Sequence, residues 1–457
     1  MKEILREIFK ELSGECDYLE IRIEESENTN IVFAGPVLNQ VSKSMEKGGY
    51  IRALYKGGWG GISFNNIDNI KEYAKSAIEQ AKKVGKDNSI LAPVPVVEDE
   101  VLLDLINDPR DVSFENKIEL MRKYNNIVLN YHENIKSSNT AYFEKFTCIT
   151  FTNSEGTYIY QEKMDLSGGV VAIASDGQNR QSGNAVFAST KDFNVALNLE
   201  NEVKKACKLA VDLLSAPKVK SGEYTVIADP ELTGVFAHEA FGHLSEADDL
   251  YGNENLKKVM SLGKELGRPI LNIYDSGVIE GKRGSLVYDD EGVKTEKTYL
   301  IKDGKLVGRL HNRETAGKMN EKPTGNARAM SYKYSPICRM RTTCIDAGDA
   351  AFEDMIKDID LGILACGSRG GETNNEMFTF SAEYAYMIRK GKIAELIRDV
   401  NLSGNVFTTL KNIDMIGKDE IIKEGPGGCG KSDQFGLPVS HGGPYIRIQN
   451  VVVGGAE

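Results

Sequence analysis

Ala216-Pro217-Lys-Val-Lys-Ser-Gly222, followed by Tyr224-Thr-Val-Ile-Ala228, divides the sequence into two unlike halves. The first run mixes proline, lysine and glycine without an apolar period and reads as a linker; the second reads as a buried strand. Upstream, helices and strands alternate. Ile4, Leu5, Ile8, Phe9 and Leu12 fall at helical spacing, so an amphipathic helix opens the chain. Strands are expected from Tyr18 to Phe64, and helices over Ile67 to Val84 and Phe114 to Asn130. Strand character resumes over Tyr142–Phe151, Gly156–Gln161 and Gly168–Ser175, with Asn153-Ser-Glu-Gly156 as a hairpin turn. The acidic stretch Pro93 to Pro109 reads as loop, and Leu199 to Leu214 as the last helix before the linker. Downstream of Ala228, a helix from Leu232 precedes a run of strands and turns, with hairpins at Asp303-Gly304 and Lys390-Gly391. The expected fold class is α+β in two domains, an N-terminal α/β domain over residues 1–217 and a β-rich C-terminal domain over 218–457.

Composition narrows the function. A chain of 457 residues is long enough for more than one domain with a real core. Its 41% hydrophobic and 27% charged residues exclude wholesale disorder. The net charge of −11, with no basic run, argues against a nucleic-acid partner. Glycine stands out at 45 residues, favouring turns and hairpins over a helix bundle. The seven cysteines are scattered without a CxxC pair, so neither a disulfide framework nor a zinc ribbon is expected. The opening residues interleave charges with apolar side chains, unlike a signal peptide, and no span is long enough to cross a bilayer. A soluble, cytoplasmic protein with no membrane partner is expected.

Of five histidines (His132, His238, His243, His311, His441), two fall in Phe236-Ala-His238-Glu239-Ala-Phe-Gly242-His243-Leu-Ser-Glu246. The zinc-protease pattern His-Glu-x-x-His places two imidazoles one helical turn apart. Here one extra residue intervenes, and on a regular helix i and i+5 point ~140° apart. Binding one ion therefore needs a widened turn of the π type, which occurs at functional sites, and Gly242 permits the distortion. The alternative is a pair of satisfied histidines in an apolar helix. Against it stands Glu239, a carboxylate that would be costly there without a task but has one as a base taking a proton from water beside a metal.

A catalytic zinc usually takes three protein ligands. Gly425-Pro-Gly-Gly-Cys429-Gly-Lys-Ser432 sets a cysteine among four glycines, in a loop, whereas Cys207 lies on a helix and Cys148, Cys338, Cys344 and Cys366 lie in strand-like runs. A His-His-Cys set suits zinc, because thiolate ligation disfavours magnesium and calcium. Lys431, two residues on, is expected to favour the ionised Cys429 thiol. The same octapeptide matches the phosphate-binding pattern G-x-x-x-x-G-K-[ST], but Asp433-Gln-Phe-Gly-Leu-Pro438 cannot continue as the helix that loop requires, so the match is by chance.

His238-Glu-Ala-Phe-Gly-His243 resembles the metal motif of the TldD/PmbA family, zinc-dependent peptidases also labelled modulators of DNA gyrase. Further segments are similar to that family: Gly284-Ser-Leu-Val-Tyr288-Asp-Asp-Glu-Gly292, the Thr298–Arg309 hairpin, Thr324-Gly325-Asn326-Ala-Arg328, Pro336–Arg341, Gly370-Gly371, Phe378–Ile388 and the Cys429 loop. The resemblance implies an N-terminal α/β domain, a β-rich metal domain and a dimer whose active site opens on an internal cavity. It implies His238, His243 and Cys429 as ligands of Zn2+ and Glu239 as the catalytic glutamate. With all four residues present, the chain is similar to the catalytic TldD branch. Its expected partner is itself or a metal-free PmbA/TldE-like paralogue.

The resulting expectation is a metallopeptidase acting on unfolded peptides or small proteins, which an exposed sheet edge would hold as an added strand. The alternative is a non-catalytic regulatory or partner-binding protein whose zinc is structural and closed by a fourth ligand, Glu246 or His441.

Overall fold

The computed structural model describes residues 1–85, 88–374 and 376–454. Helix α1 (Lys2–Leu12) buries Leu5, Ile8, Phe9 and Leu12, whereas Ile4, expected at the same helical spacing, is exposed. Strands β1 (Tyr18–Ala34), β2 (Val37–Tyr55) and β3 (Gly58–Phe64) form an antiparallel meander. After a 3-10 turn at Ile67–Asn69, helix α2 (Ile70–Val84) lays Ala74, Ala77, Ile78 and Ala81 into the same core as α1. A short strand, β4 (Glu98–Val101), precedes helix α3 (Phe114–Leu129), which starts where the Ser113 side chain accepts a hydrogen bond from the Asn116 N–H. Strands β5 (Ile135–Asn153), β6 (Tyr158–Ser175) and β7 (Arg180–Ser189) follow, then helix α4 (Glu200–Ser215). All seven strands share one sheet, in the order β3-β2-β1-β5-β6, with β7 and parallel β4 both paired to β6.

Two readings of this half change. The three segments expected between Tyr142 and Ser175 are two long strands, β5 and β6, and β6 runs unbroken through Gly168-Gly169. Those glycines are close-approach positions and not breaks: a Cβ on Gly168 would lie 2.3 Å from the Ala141 carbonyl oxygen, and one on Gly169 2.3 Å from that of Ala185. The stretch Pro93 to Pro109, expected as loop, contains β4.

From Gly222 onward the chain builds two larger sheets and two two-stranded ribbons. Strand β8 (Gly222–Ala228) lies inside a nine-stranded sheet between Ile446–Gly454 and Leu361–Cys366. The second, six-stranded sheet contains Ile273–Ser276, Thr342–Ile345 and Ser440–Gly443. One apolar core unites these sheets around Phe236, Phe241, Leu300, Met340 and Ile446. The fold is α+β.

Buried arginine–carboxylate pairs tie the seven-stranded sheet to the rest. Arg52 on β2 meets Glu20 at 2.6 Å and Glu291 at 2.8 Å, while Arg313 holds Glu155 through two 2.8 Å bonds. The Arg52 pairs are buried on both sides, so removing one partner costs roughly 3–5 kcal/mol because the other charge stays buried, whereas Glu155 is exposed and its pair is worth less. Among the described residues no helix is long and apolar enough to cross a membrane.

Candidate metal centre

Strand β8 is followed by Asp229, whose carboxylate accepts the Leu232 N–H at 2.9 Å and the Gly367 N–H at 3.0 Å. With Pro230 at the first helical position, this starts helix α5 (Pro230–Phe236) and ties it to the end of the neighbouring strand. Gly234 lets α5 sit directly on Ser440–Gly443: a Cβ there would lie 2.4 Å from the Gly442 nitrogen. Phe236 packs edge-on against Phe378 and Phe380 of the nine-stranded sheet. The helix is therefore fixed on two sides before the histidines begin.

Ala237–Gly242 then forms a π turn. The His243 N–H donates to the His238 carbonyl, the i→i+5 bond the histidine spacing calls for. The widened turn brings the two rings to 5.3 Å between centroids, nearly perpendicular. Gly242 has a further role: a Cβ there would meet Met340 Sδ at 2.0 Å.

Cys429 arrives from the far end of the chain, in a ribbon formed by Cys429–Lys431 and Gln434–Leu437. The expectation of an open loop is thus corrected: the residue is paired and 5% exposed. Buried Arg339 holds the ribbon, donating to the Cys429 carbonyl at 2.7 Å. Cys429 Sγ lies 3.3 Å from His243 Nε2. Ligand atoms of His238, His243 and Cys429 all fall within 4.8 Å of one another. Tetrahedral zinc bonds of ~2.0–2.3 Å put neighbouring ligand atoms about 3.5 Å apart, so this donor set fits the ion.

The surroundings suit that role. Burial, with the neighbouring His243, pushes His238 down to about 4, keeping it neutral as a ligand must be. Its Nδ1 is buried without a hydrogen-bond partner. His243 Nδ1 lies 3.0 Å from Glu246 Oε2, which leaves Nε2 turned towards Cys429. Burial alone would disfavour charge on His243, but its hydrogen bonds to Cys429 and Glu246 outweigh this and raise its pKa. Burial likewise pushes the Cys429 thiol up, and the His243 hydrogen bond overrides it, so the thiol falls below its usual value. Lys431 is not the cause expected from sequence. Its ammonium is held by Glu246 at 3.1 Å, Asp248 at 2.5 Å and Asp249 at 3.0 Å.

Glu239 projects a partly exposed carboxylate to 3.8 Å from His243 Nε2. Neither candidate fourth ligand joins the trio. Glu246 faces the other nitrogen of His243 and accepts the Met340 N–H at 3.2 Å, and the His441 ring is 6.3 Å from that of His238. The phosphate-loop match is excluded as well, because a strand and not a helix follows Ser432. Arg339 and Met340 both lie in the Pro336–Arg341 segment, whose sequence alone gives neither its role. A cavity of about 320 Å3 lined by Tyr50, Trp59, Tyr251 and Asp248 opens beside the Lys431 cluster.

Three family descriptions match the chain: PmbA/TldA metallopeptidase domain 1 over residues 19–81, the central domain over 107–214 and the C-terminal domain over 221–455. The chain belongs to the PmbA/TldD metallopeptidase family. It is 43% identical over 456 residues to a metalloprotease of Synechocystis sp., covering 100% of this chain and 98% of that one. It is 34% identical to a metalloprotease of Methanothermobacter thermautotrophicus, over 99% of each chain. Identity to the zinc metalloprotease TldD homolog of Saccharolobus solfataricus is 31%, over 91% of each. TldE from Thermococcus kodakarensis shares the fold, with a TM-score of 0.80 at 19% identity over 99% of this chain and 100% of that one. As expected from its motifs, this PmbA/TldD chain is a metallopeptidase.

Proposed function

We propose that the chain is a zinc-dependent peptidase hydrolysing peptide bonds of unfolded peptides or small proteins, with His238, His243 and Cys429 as the metal ligands and Glu239 as general base. The observation that carries this reading is the Glu239 carboxylate, partly open to solvent 3.8 Å from the ligand nitrogen of His243, beside three ligand atoms within 4.8 Å of one another. Bound zinc supplies Lewis acidity, which polarises a carbonyl and makes water acidic near neutral pH. Glu239 takes the proton of the attacking water and returns it to the leaving amine. Glu246 orients His243 through Nδ1, and Arg339 holds the strand that presents Cys429.

Zinc is favoured by the thiolate in the set and by the printed name of the Saccharolobus relative. A peptide substrate is supported by the edge strand Gly371–Asn374, which packs beside the π turn and could accept an extended chain. Assembly with itself or with a PmbA/TldE-like paralogue belongs to the same proposal, and the fold shared with TldE supports it. The structural-zinc alternative needs a fourth protein ligand, for which Glu246 and His441 are poorly placed.

The test replaces Glu239 by Gln and measures cleavage of an unstructured peptide together with zinc content. Loss of about 10²-fold or more in kcat with zinc retained is expected. Cleavage at the wild-type rate would remove Glu239 from the mechanism, and cleavage that survives chelation would remove the metal.

A further inference from the structure

Behind the Cys429 ribbon lies a charged cavity that the reaction above does not use. It holds about 70 Å3, several times the space one water needs. Lys145 and Lys163, from β5 and β6, form one side, and Arg328 and Arg341 another. Leu437 and Pro438 also line it, and Leu437 is the cross-strand partner of Cys429. Paired strands run about 5 Å apart, so a single strand separates this cavity from a proposed metal ligand.

The charges in the wall do not balance. Its three carboxylates, Glu24, Asp165 and Asp290, are already engaged: Asp165 with Arg283 at 2.6 Å, Glu24 and Asp290 with Arg22 at 3.3 and 3.4 Å. Among the described residues Lys145, Lys163, Arg328 and Arg341 make no ion pair. Arg328 donates only to the carbonyls of Met340 and Pro438. Arg341 is 2% exposed and donates through Nε and Nη1 to Gly325 and Gly284, while its Nη2 is buried with no partner. Burial and the nearby Arg328 pull the Lys163 ammonium down to about 8, and burial with Arg341 and Arg339 pulls Arg328 to about 9. Four cations share this wall, two of them buried, with no carboxylate in ion-pair contact and one buried N–H unused, an arrangement suited to an anion from outside the chain.

We propose that this cavity binds a carboxylate of the peptide substrate, either a free C-terminus or an Asp or Glu side chain, and so sets the register of the peptide against the metal centre. The proposal rests on the peptidase reading above for its ligand. A carboxylate oxygen would accept from the unpartnered Nη2 of Arg341, and two lysines supply the rest of the charge. The space admits such a group and excludes a nucleotide.

The test uses the full-length, zinc-loaded Glu239→Gln protein, which holds peptide without cutting it, and reads binding by fluorescence anisotropy. Four versions of one unstructured peptide are compared: unmodified, C-terminally amidated, with its Asp and Glu changed to Asn and Gln, and with both changes. Losing the recognised carboxylate should weaken binding about tenfold or more. The first change having the effect identifies the C-terminus, the second a side chain. In the additional variant Lys163→Met all four should bind within about twofold of one another. Lys145→Met serves as a second variant if the first does not fold. Equal affinities for all four peptides in the Lys163-containing protein would overturn the proposal. Succinate binding, measured by calorimetry without peptide, separates the two readings. A protein that cuts no peptide yet binds succinate in a Lys163-dependent way refutes the peptidase and keeps the anion site. A protein that cuts peptides but ignores every carboxylate does the reverse.

Discussion

Changing Glu246 to Gln perturbs the metal centre while leaving every proposed ligand in place. The Glu246 side chain is completely buried, and its two oxygens meet three donors: His243 Nδ1 at 3.0 Å, Lys431 Nζ at 3.1 Å and the Met340 N–H at 3.2 Å. Glutamine keeps one acceptor. If its oxygen stays on His243, its NH2 confronts the Met340 N–H; if it flips, it donates to Nδ1 and forces the proton onto Nε2, the nitrogen that faces Cys429. Either arrangement leaves a buried donor unmet, at roughly 1–3 kcal/mol. Lys431 keeps Asp248 and Asp249, so the loss should stay below the roughly 3–5 kcal/mol of a fully broken buried pair. Loss of an outer carboxylate on a ligating histidine typically costs about 10–100-fold in metal affinity, or ~1.4–2.7 kcal/mol. Competition against a chromophoric chelator measures the zinc Kd, and thermal unfolding of the metal-free protein measures the fold. A Kd within about twofold of wild type in a folded variant would refute the assignment of Glu246 to His243.

Other expectations are as specific. Gly234→Ala should destabilise by about 1–3 kcal/mol in denaturant unfolding and lower zinc content, because the new Cβ meets backbone at Gly442 and not a movable side chain. Burial and then the Glu231 charge push Glu383 up to about 7, so its contribution to stability is fully present below the ordinary 4.5 and is lost as pH rises through 7. Glu383→Gln, which keeps an acceptor for Asn184, should flatten the unfolding free energy between those pH values by on the order of 2 kcal/mol; an unchanged pH profile would refute this. After chelation, iodoacetamide should label Cys429 first, since burial pushes the other six thiols up. Zinc should protect Cys429, and equal labelling by peptide mapping with and without zinc would remove it from the ligand set.

How much of the fold was legible follows from how local its causes are. Helices α1, α2, α3 and α4 carry long apolar periods, and each lies within a few residues of its expected span. Strand β4 could not be seen, because Glu98-Asp-Glu-Val101 is an exposed edge strand with no buried alternation to betray it. The stretch between Gln161 and Gly168 is not expected as strand, whereas β6 runs through it and its Gly168-Gly169 fits closely against the backbones of the paired strands β5 and β7. The helices Ala247–Tyr251 and Glu254–Val259 are too short to show a period.

At the site the same division holds. The π turn was legible because geometry permits two histidines at i and i+5 to share an ion in no ordinary helix, and the structure has that turn. The second layer was not, because spacing does not say which nitrogen of a ring a neighbour reaches. Glu246, one turn beyond His243, was a candidate ligand by distance along the chain, yet it meets Nδ1 and leaves the ligand side free. Lys431 was read by its closeness in sequence to Cys429, whereas its charge is claimed by Glu246, Asp248 and Asp249, all near-neighbours of His243. A buried charge finds its counter-charge in space, and several pairs here join segments more than a hundred residues apart: Lys431 with Glu246, Arg283 with Asp165, Arg52 with Glu291. In the cavity lined by Lys163, Arg328 and Arg341 the two arginines, like the buried Arg339 nearby, meet only backbone carbonyls. Under the proposal above, the counter-charge for this group arrives with a ligand.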